Sequence, residues 1–332
     1  MSHDTLSDLL RAVRLRGAVF YYVSLWGDWA ADAPPGKEIV DAVFPGSEHL
    51  MAFHLVAKGR GWVSAGGEPV ALAAGDVLVF PHGDGHLLSS APGVEPERLG
   101  ADWVFATRHI PKPMPIAYHH GVVEPGSPTP VDAADTILVC GFLGCDLRPF
   151  NPLIGALPRL LHLPAERAGG WLTHVIDQAA RESAEPRPGA GAVLERLAEM
   201  MFVDTARRYL DTLPDNATGW LAGLRDRHVG RALALLHENP DHPWTIDELG
   251  HRVGLSRSAL HERFMQFLAQ PPMHYLASWR IQLGAHLLRE TRRTVASIAQ
   301  DVGYESEAAF SRAFKRLVGV PPARWRRSAS AG

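Results

Sequence analysis

Two stretches of this chain carry side chains suited to pairing with bases and phosphates. Arg257, Ser258, His261 and Glu262 lie in the first; Glu307, Ala308, Ser311, Arg312, Lys315 and Arg316 lie in the second. A guanidinium such as that of Arg312 can pair in bidentate fashion with guanine O6 and N7, and a carboxylate such as Glu262 can accept from cytosine N4. Arg257, Lys315 and Arg316 suit phosphate oxygens, which set affinity rather than sequence preference. A separate group, His54, His82, His86, Cys140 and Cys145, offers the thiolate and imidazole donors that zinc takes.

The first set has to be held outward on helices, and the sequence writes that framework twice. Leu249, Gly254, Leu260, Phe264, Pro271 and Pro272 return as Ile298, Gly303, Phe310, Phe314, Pro321 and Pro322, offset by 49 residues before the turn and 50 after it. The only length change falls in the turn, which preserves the helix registers on both sides, as two copies of a helix-turn-helix require. Thr245-Ile246-Asp247-Glu248 reads as a capping box, with the Glu248 carboxylate reaching back to the cap. Gly254 supplies a positive φ, and Ser256 and Ser306 cap the helices that follow. Leu260, Phe264 and Phe267 then face inward in the first copy, and Phe310, Phe314 and Leu317 in the second. The residues named above face outward, around the helix end that enters a major groove. Leu276, Trp279, Leu283 and Leu287 form one stripe on a connecting helix over 274–290. At 1.5 Å per residue it spans about 25 Å, against the roughly 34 Å between successive major grooves on one duplex face.

The run Gly303-Tyr304, Ser306, Phe310-Ser311-Arg312, Phe314-Lys315-Arg316, followed by Gly319-Val320-Pro321-Pro322, resembles the signature of the AraC/XylS transcriptional regulators. The likeness covers 224–327. It implies a two-motif reader of double-stranded promoter DNA, acting as an activator in contact with RNA polymerase. Carried over by position, Ser258, His261 and Glu262 would face bases in the first copy, and Glu307, Ala308, Ser311 and Arg312 in the second. Glu262 and Glu307 stand awkwardly beside a polyanion, so the first copy is expected to read fewer bases than usual.

The metal-type residues sit in a β-rich part. Short runs of β-branched and aromatic residues over 18–23, 51–56, 75–80 and 136–140, separated by Gly, Pro and Asp clusters, point to a sandwich or small barrel. A helix over 5–16 precedes them. Gly75, Pro81, Gly83 and His86 fit the second half-motif of the cupins. In the first half-motif Val56 and Gly59 are in place, but Ala52 stands where a glutamate ligand belongs. With Cys140-Gly141 and Asn151-Pro152-Leu153 the pattern resembles the cupin-type sensor domain of one branch of AraC-like regulators. His54 shares strand parity with Val56 and points to the same face. Two readings stay open. In one, His54, His86, Cys140 and Cys145 converge on zinc, or the cysteines respond to oxidant. In the other they are ordinary barrel histidines and a small buried thiol. One metal can hold both cysteines only if Gly141 and Gly144 bend the strand, because an odd offset puts the sulfurs on opposite faces.

The expected architecture is α+β: a cupin-like β-barrel with flanking helices over 1–165, a helical linker or dimerisation region over 166–213, and an all-α double helix-turn-helix domain over 224–327. Leu194, Leu197, Met201 and Thr205 share a face of the linker helix, which either makes a homodimer or packs onto the barrel. A composition of 46% hydrophobic and 21% charged residues is that of an ordinary globular protein. The net charge of −3 divides unevenly, with 16 Lys and Arg against 10 Asp and Glu from Leu224 onward, so the basic end suits a polyanion. No apolar run reaches the length of a membrane helix and no basic-then-apolar leader opens the chain, so a cytoplasmic location is expected. The function expected is a DNA-binding regulator, not an enzyme, whose barrel senses a small effector, metal or redox state. One rival is a cupin metalloenzyme tethered to a DNA-binding domain. An iron site of that kind needs a carboxylate, which Ala52 removes and which Glu48 and Asp84 are poorly placed to replace. The other is a constitutive DNA binder whose β domain only dimerises.

Overall fold

A computed structural model describes residues 4–96, 100–119, 122–125 and 133–329; the first three residues of the expected leader-free start lie outside this set. The chain begins with α1 (Thr5–Ala12), β1 (Arg16–Trp26), β2 (Ala30–Ala33), α2 (Gly36–Val43), β3 (His49–Lys58), β4 (Arg60–Ser64), β5 (Val70–Ala73), β6 (Val77–Phe80) and β7 (His86–Ser89). It continues with α3 (Gly100–Thr107), β8 (Met114–His119), β9 (Val122–Pro125), β10 (Thr136–Cys145), α4 (Pro152–Ala156), β11 (Leu161–Leu163), α5 (Ala165–Ala184) and α6 (Ala190–Thr212). Eight helices close it: α7 (Trp220–Arg225), α8 (Arg227–Glu238), α9 (Ile246–Val253), α10 (Arg257–Leu268), α11 (Pro272–Glu290), α12 (Val295–Asp301), α13 (Glu307–Val318) and α14 (Pro322–Ala329).

These elements form two compact units. One is Leu15–Cys145 with Leu157–Asp211; the other is Met1–Arg14, Asp146–Ala156 and Thr212–Gly332. The division differs from an expected boundary at 165, because α1 and Asp146–Ala156, α4 included, group with the C-terminal helices, while α5 and α6 group with the barrel.

In the first unit a seven-stranded sheet, ordered β11-β6-β3-β10-β1-β8-β9, faces a four-stranded sheet, ordered β2-β7-β4-β5. Leu25, Val56, Leu78, Phe80 and Leu138 from the larger sheet meet Val63, Leu72 and Leu88 from the smaller in one core. All ten residues of β10 are buried. The strand keeps its register with β3 from Leu138 to Cys145, so Gly141 and Gly144 do not break it. Close approach explains Gly141 instead: a Cβ there would lie 2.2 Å from the Ala18 carbonyl and 2.5 Å from the Phe53 ring. Helix α6 runs tightly over the start of β1, where a Cβ on Gly17 would meet the Ala198 Cβ at 2.7 Å. Leu194, Met201 and Thr205 are buried in this packing, so the apolar face expected to make a dimer is used within the unit.

In the second unit α9–α10 and α12–α13 are the two helix-turn-helix copies, joined by α11. Its 19 residues span about 28 Å. Helix α1 ends four residues before its expected limit, and its buried Leu6, Leu9 and Ala12 go to this unit, against α8 and α11. The Gln282 amide of α11 donates to the Ala12 carbonyl at 2.7 Å and accepts from the Phe150 N–H at 2.9 Å. Asp146 takes a forked pair of bonds from Arg14, at 2.8 and 2.9 Å, and a third from Arg289.

Candidate nucleic-acid interface and barrel cavity

The two copies repeat down to their caps. Thr245 and Thr294 accept from the third N–H of α9 and α12, both at 3.1 Å, and Ser256 and Ser306 do the same for α10 and α13, both at 3.2 Å. The capping box is only half formed, because the Glu248 carboxylate accepts from His242 at 3.0 Å instead of returning to its cap. Gly254 takes φ 75° and Gly303 φ 85°. Leu260 and Phe264 of α10, and Phe310 and Phe314 of α13, are almost wholly buried.

That burial leaves the expected contact residues outside. Arg257, Ser258, His261 and Glu262 are exposed on α10, as are Glu307, Ala308, Arg312, Lys315 and Arg316 on α13; Ser311 is half-buried. Arg257 is engaged, lying 3.8 Å from Asp247. Arg263, next along α10, holds the framework together by forking onto Asp226, the residue that caps α8. Arg312 and Lys315 have no such partner among the described residues.

Between the two sheets lies a cavity with about 880 Å³ of empty space, its mouth included, lined chiefly by carbon. Tyr21, Trp29, Trp103 and Tyr118 form much of its wall, and His54 and Cys140 reach it from β3 and β10. Tyr21, Cys140 and His54 stand side by side on three adjacent strands, Tyr21 opposite Cys140 and Cys140 opposite His54. Behind this row the Nε2 atoms of His54 and His86 are 2.7 Å apart, and His86 stacks on Phe80 with ring centroids 3.5 Å apart. Burial pushes the His86 pKa down to about 4 and that of His54 well below its ordinary value, so both rings are neutral near pH 7. Burial also pushes the Cys140 thiol up, so it stays protonated and is a poor target for oxidants.

Comparison with known proteins fits both units. A family model described as Cupin matches residues 4–211, and one described as Helix-turn-helix domain matches 249–328. A relative from Streptomyces lividans, described as an AraC-like transcription regulator, is 33% identical over 98% of each chain. The chain belongs to the AraC-like transcription regulators. The regulator AlkR of Acinetobacter baylyi is 26% identical over 97% of this chain and 99% of its own. Among solved structures, ToxT from Vibrio cholerae is 10% identical and covers 96% of this chain and 99% of its own, with a TM-score of 0.35. By its family this AraC-like regulator is a DNA-binding transcriptional regulator and not an enzyme, and among its described residues no helix is long and apolar enough to cross a membrane.

The barrel of this AraC-like regulator does not fit the metal that cupins often hold. Two imidazoles on one tetrahedral zinc at 2.0–2.1 Å stand about 3.3 Å apart, whereas the His54 and His86 nitrogens share a hydrogen bond. Cys145 is brought opposite His49, five residues along β10 from Cys140, and strand parity turns it to the other face. Among the described residues no three His, Cys, Asp or Glu side chains are grouped to hold an ion. The expected four-residue zinc set is therefore corrected to a neutral histidine pair. His82 is also accounted for, within hydrogen-bonding distance of the Leu157 carbonyl at 3.0 Å. Sequence reasoning missed Tyr21 and the tryptophans of the cavity; alternation of Tyr21, Val23 and Leu25 was the available signal.

Proposed function

We propose that this AraC-like regulator is a cytoplasmic activator that binds promoter DNA through α10 and α13 in successive major grooves and answers to a small molecule in its barrel. The observation that supports this most directly is the pair of identically capped helices, with Arg312 and Lys315 left unpartnered on the second among the described residues. Arg312, Ser311, Glu307 and Ala308 would meet base edges on α13, and Ser258, His261 and Glu262 on α10. Lys315 and Arg316 would meet phosphates, as would Arg257 once released from Asp247. The fixed span of α11 sets the phase between the two grooves, and the bound protein would contact RNA polymerase. A homodimer would use the outer face of α5 and α6, where Trp171, Val193 and Met200 remain exposed.

Footprinting and in vitro transcription on promoters recovered from a genomic binding map test the reading. Protection of two grooves on one face with increased transcript is expected; protection confined to one groove, or less transcript, overturns it. Light scattering of the full chain should give a dimer that Val193→Glu with Met200→Glu makes monomeric. A monomer at tens of micromolar would dispose of the dimer.

A further inference from the structure

The hydrogen-bond directions around the histidine pair settle what the cavity asks of a ligand. His86 Nδ1 lies 3.1 Å from the Asp84 carbonyl, and a carbonyl can only accept. His86 therefore carries its proton on Nδ1, and its Nε2 is a bare acceptor. His54 must donate to it through Nε2–H across the 2.7 Å contact. That fixes the other tautomer on His54, leaving its Nδ1 a lone pair without a proton. This atom is wholly buried and has no partner among the described residues, on a residue that lines the cavity. A buried acceptor without a donor is costly, and a ligand donor removes the cost.

The surrounding wall sets the rest of the ligand. Aromatic rings and aliphatic side chains make up most of it, and among its described residues there is no Lys or Arg to hold an anion. Neutral rings at His54 and His86 supply no positive charge either. A sugar would bury many hydroxyls against a wall that is mostly carbon, where Asp32, Tyr21 and Tyr118 are the polar side chains beside His54 and are too few to bond them all.

Resting on the reading of the barrel as an effector site, we propose that the cavity takes a neutral, largely apolar molecule with a single hydroxyl, such as an alkylphenol, which donates to His54 Nδ1. The ring and alkyl chain lie against Trp29, Trp103 and Tyr118. The class excludes metal ions, carboxylates and sugars.

Calorimetric titration of the full chain with 4-propylphenol and with its methyl ether tests this. The two probes share the ring and alkyl chain; the ether lacks the donor and carries one more methyl, which on apolar area alone would favour it. The phenol should bind, and the ether at least fivefold more weakly, since it leaves His54 Nδ1 unsatisfied. In His54→Phe the two should bind alike. Equal affinities in the wild type, or no binding of either probe at millimolar concentration, overturn the ligand class. The wild-type comparison stands even if the variant fails to fold. Transcription separates the two levels: phenol binding with no change in transcript would keep the class and remove the sensing role. A response to some other molecule, with no phenol bound, would do the reverse.

Discussion

Acid should loosen the barrel through the histidine pair, by an amount that follows from the burial of His86. In the unfolded chain both rings take up a proton near pH 6.5. In the folded barrel His86 resists protonation until about pH 4, and burial beside His86 holds His54 well below its ordinary value too. Between those limits the unfolded state binds more protons, so stability falls as pH falls; the pair's contribution is fully present above about pH 6.5. At 1.36 kcal/mol per unit, the His86 shift alone is worth about 2 kcal/mol by pH 5 and about 3 kcal/mol by pH 4. Urea unfolding of the full chain, followed by tryptophan fluorescence at pH 7.5, 6 and 5, measures it against His86→Gln. Histidines elsewhere titrate in both proteins and cancel. The stability gap between wild type and variant should close by about 2 kcal/mol on going to pH 5. Parallel pH profiles would refute the neutral-pair assignment.

Three further outcomes are expected. Arg312→Ala should weaken specific binding by about 1–3 kcal/mol and relax the preference at one base pair, while Arg316→Ala weakens all sequences alike and lowers the salt slope by about 1; competition binding with single-base operator variants distinguishes them. Ala269 ends α10 at φ 53°, where the matching residue fifty positions on is Gly319 at φ 86°. Ala269→Gly should therefore stabilise the protein by about 1 kcal/mol in denaturant melts, since relief of left-handed strain outweighs the entropy lost. Gln282→Leu leaves the Ala12 carbonyl and the Phe150 N–H without their partner, and should cost about 1–3 kcal/mol by the same measurement.

The double helix-turn-helix was legible because its signals are local: hydroxyl caps, turn glycines and inward aromatics, each repeated at a fixed offset. Strands were legible in kind but short in extent. Gly141 and Gly144 look like breakers in the sequence, whereas Gly141 is dictated by the Ala18 carbonyl and Phe53 ring that press against β10. The amphipathic pattern of α1 announced a buried face without naming the surface it meets, and no spacing rule links residue 12 to residue 282. Parity placed His54 inward and Cys145 on the opposite face. The partner of His54 depends on a turn and a second sheet, and the alignment of Tyr21 with Cys140 depends on a register shift in β1 between Val19 and Tyr21. Those are tertiary facts.

The bond from Gln282 to Ala12 spans 270 residues, and that separation has a meaning in time. A ribosome adds roughly 5–20 residues per second, so α1 emerges roughly 15–55 s before the helix that receives it. Through that interval Leu6 and Leu9 are without the α11 surface they will cover. The whole barrel is translated in between, as is the Asp146–Ala156 segment that supplies the second bond to Gln282. A chain cut short anywhere before α11 thus leaves a greasy helix exposed to chaperones and proteases. The unit that holds both helix-turn-helix copies is completed only once α11 has been made, so in this chain it is never completed before the barrel has been translated.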